Sequence, residues 1–239
     1  MRIAMWSGPR NLSTAMMYAF GARDDCAVWD EPFYAAYLHK TGIDHPMRDE
    51  IIAAGEVDVK RLTGRILGDV PKGKTVFFQK HMCQHMLEGI DLGWTRKCVN
   101  FFLIRHPQRV IASFDAKRAQ PNLDDIGFRA QARLFDRIRD DSGKIPAIVD
   151  CADIRANPQR ILDLLCQEIG LPFQPGMLRW PKGGHPDDGV WGRHWYGGVH
   201  GSSSFAGPEK PLPVLPDNLR SLSDAAMPYY QRMARFKLI

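Results

Sequence analysis

Five short apolar runs, separated by stretches of helical periodicity, constrain this chain more than any other feature. They are RIAMW at 2–6, CAVWD at 26–30, TVFFQ at 75–79, VNFFLI at 99–104 and AIVD at 147–150. Each is too short for a stable helix and is a run of apolar or β-branched residues, which reads as a buried strand. Helix-like segments fall at 13–20, 47–54, 58–67, 83–90, 107–118, 124–139, 158–169 and 217–234. Strands and helices in alternation predict an α/β fold of three layers. Its sheet is mostly parallel and covered on both faces, because parallel neighbours need a crossover connection. The 239 residues suit one domain, 1–239, with a substantial core. Such sheets bind ligands beyond the carboxyl ends of their strands.

The first loop at that edge, Gly8-Pro9-Arg10-Asn11-Leu12-Ser13-Thr14, joins the first run to a helix starting near Ser13. Free backbone N–H groups and the positive dipole end at a helix start favour an anion. Arg10 can grip an oxyanion with two parallel hydrogen bonds, and the hydroxyls of Ser13 and Thr14 can donate to it. Read only structurally, Ser13 is a helix cap and Arg10 a surface cation. The loop is not that of an ATP or GTP hydrolase, since Leu12 and Ser13 stand where the phosphate-binding Gly-Lys pair belongs. A second anchor lies in RHPQRVIAS: Arg105 follows the fourth run, and Ser113 comes eight residues later on the next helix.

A net charge of +5 suits anionic ligands, but the basic residues are interleaved with acids, so no nucleic-acid partner is expected. Five cysteines, an odd number with no C-x-x-C pair, fit reduced thiols in a cytoplasmic protein better than a disulfide framework or a zinc ribbon. No stretch approaches the roughly 18 apolar residues of a membrane span. Gly8-Pro9-Arg10 also interrupts the first apolar run too early for a secretory signal. His81 and His85, four apart in HMCQH, lack the glutamate of the zinc-protease helix, and no metal is expected.

SGPRNLST at 7–14 resembles the 5′-phosphosulfate loop of the P-loop-like sulfotransferases, whose donor is 3′-phosphoadenosine 5′-phosphosulfate (PAPS). FFLIRHPQRVIASF at 101–114 resembles their 3′-phosphate motif, and the segment 145–173 is similar to the strand, turn and helix that follow in the family. The resemblance implies a P-loop NTPase-like sulfotransferase fold, with Gly8, Pro9, Arg10, Asn11, Leu12, Ser13 and Thr14 around the 5′ end of PAPS. Arg105 and Ser113 then hold its 3′-phosphate, and a sulfuryl group passes, without a metal, to a hydroxyl or amine of a small molecule.

Two residues compete as catalytic base. Glu31, in WDEPFY, resembles the glutamate of bacterial carbohydrate sulfotransferases; the plainer reading is a solvated Asp30-Glu31 turn before Pro32. His81, in FFQKHM, resembles the histidine of cytosolic sulfotransferases, although Gln79 stands where they carry lysine; the plainer reading is a structural histidine. Asp30 and Lys80 are candidates for orientation or charge balance. Arg10 replaces the lysine of many members, and so serves as a fixed charge and hydrogen-bond fork rather than a proton donor. The family's Gly-x-x-Gly-x-Trp-Lys closing segment is absent. WYGGVHGSSSF at 195–205, within a Gly-, Pro- and aromatic-rich stretch at 180–216, is expected to close over the site instead. Ser202 to Ser204 would donate to an anion there, and Trp195 or Tyr196 would stack on adenine or acceptor. Two other readings stay open: a non-catalytic or regulatory nucleotide-binding module, and a kinase or hydrolase of another phosphate ester, which requires a Mg²⁺-binding carboxylate beside the loop.

Overall fold

Side chains alternate between the two faces of a strand, and this alternation sorts the five strands' residues into two apolar layers. The computed structural model describes residues 1–116 and 121–239. Its strands are β1 (Arg2–Ser7), β2 (Cys26–Asp30), β3 (Val76–Met82), β4 (Val99–Ile104) and β5 (Ala147–Asp150). They form one sheet in the order β2-β3-β1-β4-β5, with every pairing parallel. Ile3, Met5, Val28, Phe78, Phe101 and Val149 pack on one face; Ala4, Trp6, Phe102, Ile104 and Ile148 pack on the other.

The helices are α1 (Ser13–Gly21), α2 (Tyr34–Thr41), α3 (Arg48–Ala54), α4 (Val59–Leu67), α5 (Pro107–Asp115), α6 (Phe128–Ser142), α7 (Cys151–Ala156), α8 (Pro158–Glu168), α9 (Gly192–Trp195), α10 (Gly197–His200) and α11 (Asp217–Ala234). Helices α1 and α8 cover the first face, and α4, α6 and α11 the second. Asp58 caps α4 by accepting from the N–H groups of Lys60 and Arg61, and Gly42 ends α2 at φ +64°. The helix expected at 107–118 is described to Asp115; its last two residues lie outside the described residues.

The helix expected at 83–90 does not form. The strand runs on to Met82, only a 3₁₀ turn follows at Cys83–His85, and Gly89 takes φ +85°. That extension fixes the register: Met5 sits opposite Lys80, and Trp6 opposite His81. Lys80 therefore lies on the α1 side of the sheet and His81 on the other. In the stretch 180–216, Trp180, Trp191, Tyr196 and Phe205 are buried. All five cysteines are free. No helix among the described residues is long and apolar enough to cross a membrane.

Candidate functional site

Three non-glycine residues with left-handed backbone cluster at the carboxyl edge of the sheet: Arg10 at φ 64°, Leu12 at φ 56° and Glu31 at φ 37°. Such conformations cost of order 1–3 kcal/mol each and persist where the surroundings over-determine them, often at functional sites. Arg10 and Leu12 shape the loop after β1, while Glu31 follows β2, held by its N–H bond to the carbonyl of Lys80. Gly8 lets that loop pass close to a neighbour, since a Cβ there would lie 3.3 Å from the carbonyl oxygen of Ile126.

Leu12, not Ser13, occupies the capping position of α1, and no side chain among the described residues caps the helix. The first N–H groups of α1 are thus left for another acceptor. They face a cavity of about 960 Å³ lined by Pro9 to Ala15, Glu31, Lys80, Arg105 and Ser113, with Tyr34, Tyr37, His85, Trp191, Trp195 and Tyr196 forming much of the apolar wall. Asn11 lines the cavity and also ties the loop down: its Nδ2 donates to Leu103 O at 3.2 Å and its backbone carbonyl accepts from Cys151 Sγ, while its Oδ1 has no partner among the described residues.

Lys80 organises the floor. Its Nζ donates to Asp30 Oδ1 at 2.8 Å, to Glu31 Oε1 at 2.5 Å and to Tyr196 Oη at 2.7 Å. The Tyr196 hydroxyl in turn donates to Asp30 Oδ2 at 2.9 Å and accepts from Trp191 Nε1 at 2.7 Å, and the Gly189 N–H reaches Asp30 Oδ2 at 3.1 Å. The stretch expected as a lid is therefore latched to the ends of β2 and β3. Burial opposes the charge on Lys80, but the two carboxylates outweigh it and raise its pKa. Burial first, then the neighbouring charge of Glu31, raises that of Asp30, despite the pull of Lys80. Burial also raises the Tyr196 phenol well above its usual value.

His81 does not line the cavity. It is buried, stacked on Trp6 with ring centroids 4.7 Å apart, and neighbours Phe33 and Trp94. Burial lowers its pKa to about 3, with His85 and Lys80 pushing in the same direction. His85 does line the cavity, sandwiched between Tyr34 and Tyr37 at 4.7 Å from each ring. Strand and 3₁₀ turn thus replace the single helical face that would bring the two histidines together. The serines expected to hold an anion lie apart from the cavity wall: Ser202 Oγ donates to Val199 O, the Ser203 carbonyl accepts from Trp180 N, and Ser204 forms a bridge with Arg179.

Arg10 Nε donates to Ser113 Oγ at 2.9 Å, and Arg105 Nη1 donates to the carbonyl of Arg10 at 2.9 Å. Burial and the like charge of Arg105 both lower the pKa of Arg10, an environment that would welcome an anion. The two sequence anchors thus meet. Arg105 is also paired with Glu209, and Arg109 and Arg155 share that carboxylate. None of Arg109, Arg155 and Glu209 belongs to the Gly8–Thr14 loop or to the Arg105/Ser113 pair. Arg109 lies in the same RHPQRVIAS segment, four residues after Arg105, whereas Glu209 in PEKP carries no local signal.

A family model described as "Sulfotransferase domain" matches residues 1–236. Two curated relatives from Arabidopsis thaliana are named branched-chain-amino-acid aminotransferase-like proteins 2 and 1. Each is 34% identical, over 228 and 231 residues respectively, covering 95% of this chain and 40% of the relative's length. Two solved structures align along most of the chain. One, a sulfotransferase domain from the curacin biosynthetic pathway, is 15% identical over 95% of this chain and 97% of its own, with a TM-score of 0.46. The other, a sulfotransferase domain from the Synechococcus PCC 7002 olefin synthase, is 14% identical over 94% of each chain, with a TM-score of 0.48.

Proposed function

This chain belongs to the sulfotransferase-domain family, and from that premise we propose that it transfers a sulfuryl group from PAPS to a hydroxyl or amine of a small molecule. The observation that carries this reading is that Glu31 and the uncapped start of α1, with Arg10, open onto the same cavity. The residues present fit a nucleotide with two anionic ends. Arg10, Ser13, Thr14 and the free N–H groups of α1 would hold the phosphosulfate end, and Arg105 with Ser113 the 3′-phosphate. When bound, PAPS supplies an activated sulfuryl group: the new bond forms from acceptor oxygen or nitrogen to sulfur as the bond from sulfur to the phosphate oxygen breaks.

The chain's own contribution is alignment, charge neutralisation and removal of the acceptor's proton. Glu31 is the base: it borders the cavity, and its side-chain contacts to Lys80 and Tyr196 fall on Oε1, leaving Oε2 for the incoming proton. Lys80 and Tyr196 hold the carboxylate in place and share its charge. Arg10 and the α1 dipole stabilise negative charge as it grows on the leaving phosphate oxygen.

The test is calorimetric titration with adenosine 3′,5′-bisphosphate, AMP and ATP in the absence of magnesium. Preference for the bisphosphate supports the reading, and preference for ATP assigns the cavity to phosphoryl chemistry instead. Turnover of PAPS with a panel of small hydroxyl and amine acceptors then separates an enzyme from a binding module.

A further inference from the structure

Three guanidiniums converge on one carboxylate of the chain. Glu209 Oε1 accepts from Arg105 Nη2 at 2.6 Å and Nε at 3.0 Å and lies 3.4 Å from Arg155 Nη1, while Oε2 sits 2.5 Å from Arg109 Nε. The three guanidiniums come from the end of β4, from α5 and from α7, and the Glu209 side chain is only 4% exposed. Arg155 Nε also donates to the Gly207 carbonyl, and Arg109 Nη2 to that of Lys210. The strap around Glu209 is otherwise lightly packed. It is anchored by buried Phe205 at one end and Leu215 at the other, with Leu212 and Val214 exposed between them. Pro208, Pro211 and Pro213 fix several of its backbone angles, which narrows the conformations open to the strap.

One carboxylate leaves three guanidiniums under-neutralised, whereas a phosphate monoester carries nearly twice the charge and a third oxygen. We infer that Glu209 is a built-in competitor for the 3′-phosphate: its carboxylate fills the site made by Arg105, Arg109 and Arg155 and must leave before a 3′-phosphorylated nucleotide is held there. This rests on the PAPS reading and adds Arg109 and Arg155 to the 3′ end of the site. Glu209 thereby sets how much the 3′-phosphate contributes to affinity. A nucleotide lacking that phosphate binds without displacing the strap, so Glu209 narrows the gap between the two ligands.

The experiment titrates adenosine 3′,5′-bisphosphate and AMP into the wild-type chain, Glu209→Gln and Glu209→Ala, with folding of each verified by circular dichroism. Both variants should bind the bisphosphate about tenfold tighter, since removing a competing state raises the competent fraction, while AMP affinity moves by less than about threefold. Bisphosphate affinity that is unchanged or weaker in both variants, with the wild type binding it, overturns the role of Glu209 and leaves the PAPS reading standing. No bisphosphate binding by any of the three proteins overturns both.

Discussion

Lys80 Nζ donates to Glu31 Oε1 across 2.5 Å, with the lysine fully enclosed and the glutamate at the cavity edge. The pair joins the interior of the sheet to the surface where chemistry is proposed. With Asp30 it places two carboxylates around one ammonium.

Removing that ammonium strands the carboxylates. Lys80→Met should lower the unfolding free energy by about 3–5 kcal/mol, the usual cost of leaving a buried ion without its partner. Urea denaturation measures it. A loss below about 1 kcal/mol would mean that the stranded carboxylates escape the cost by taking up protons or reaching water.

Glu31 and His81 separate cleanly by location. Glu31→Gln should reduce turnover by about 10²- to 10⁴-fold, the range for loss of a general base, while leaving adenosine 3′,5′-bisphosphate affinity nearly intact. His81→Gln should weaken the fold through its contacts with Trp6 and Trp94, yet keep turnover within about tenfold of wild type. The opposite pattern would move the base to the other face of the sheet.

The buried histidines impose a pH dependence on stability. His81 and His85 are held neutral in the folded chain, with pKa values pushed below the ordinary 6.5. The unfolded chain then binds more protons, so stability is complete above about pH 6.5 and is withdrawn as pH falls toward the folded-state value, about 3 for His81. Each group contributes a slope of up to about 1.4 kcal/mol per pH unit within that window. Denaturation midpoints at pH 7.5 and 5.5 should differ more for the wild type than for the His81→Gln/His85→Gln double variant. Equal differences would show that neither histidine is buried neutral.

Gly189 controls the latch. A Cβ at that position would lie 2.1 Å from the Trp191 ring, so the indole must move, and its Nε1 is a donor to Tyr196 Oη. Gly189→Ala should cost about 1–3 kcal/mol as an overpacking change and depress turnover further than that loss of folded protein explains. Tryptophan fluorescence reports the displaced ring; unchanged turnover would detach the latch from the chemistry.

The sheet was legible because its strands are unbroken apolar runs. The bounds read for 26–30, 99–104 and 147–150 coincide with β2, β4 and β5. The strand containing His81 was read short because Gln79, Lys80 and His81 end the apolar run while the ladder beside β1 continues to Met82. Helix α2 was missed since YAAYLHKT lacks a capping residue and contacts the core through Tyr34, Ala35, Ala36 and Leu38, a spacing with few strong apolar residues. The loop after β1 and Arg105 were visible as a local pattern of glycine, proline, cation and hydroxyls. The pairing of Lys80 with Asp30 and Glu31 depends on strand register, and that of Glu209 with three arginines joins residues 54 to 104 positions apart, distances over which no periodicity speaks.

The sheet order places β1 between β3 and β4. The earliest of the five strands to be synthesised is therefore the central one; both its edges stay open until residues 76–82 arrive, and one stays open until 99–104 do. During that interval a strand of buried apolar residues presents open edges, the usual template for association between chains. Anions cannot rescue it, because the loop after β1 gains its neighbours Arg105 and Ser113 only when β4 and α5 have arrived. Partial chains ending before β4 should thus be aggregation-prone whatever nucleotide is supplied, and ligand can stabilise only the assembled sheet.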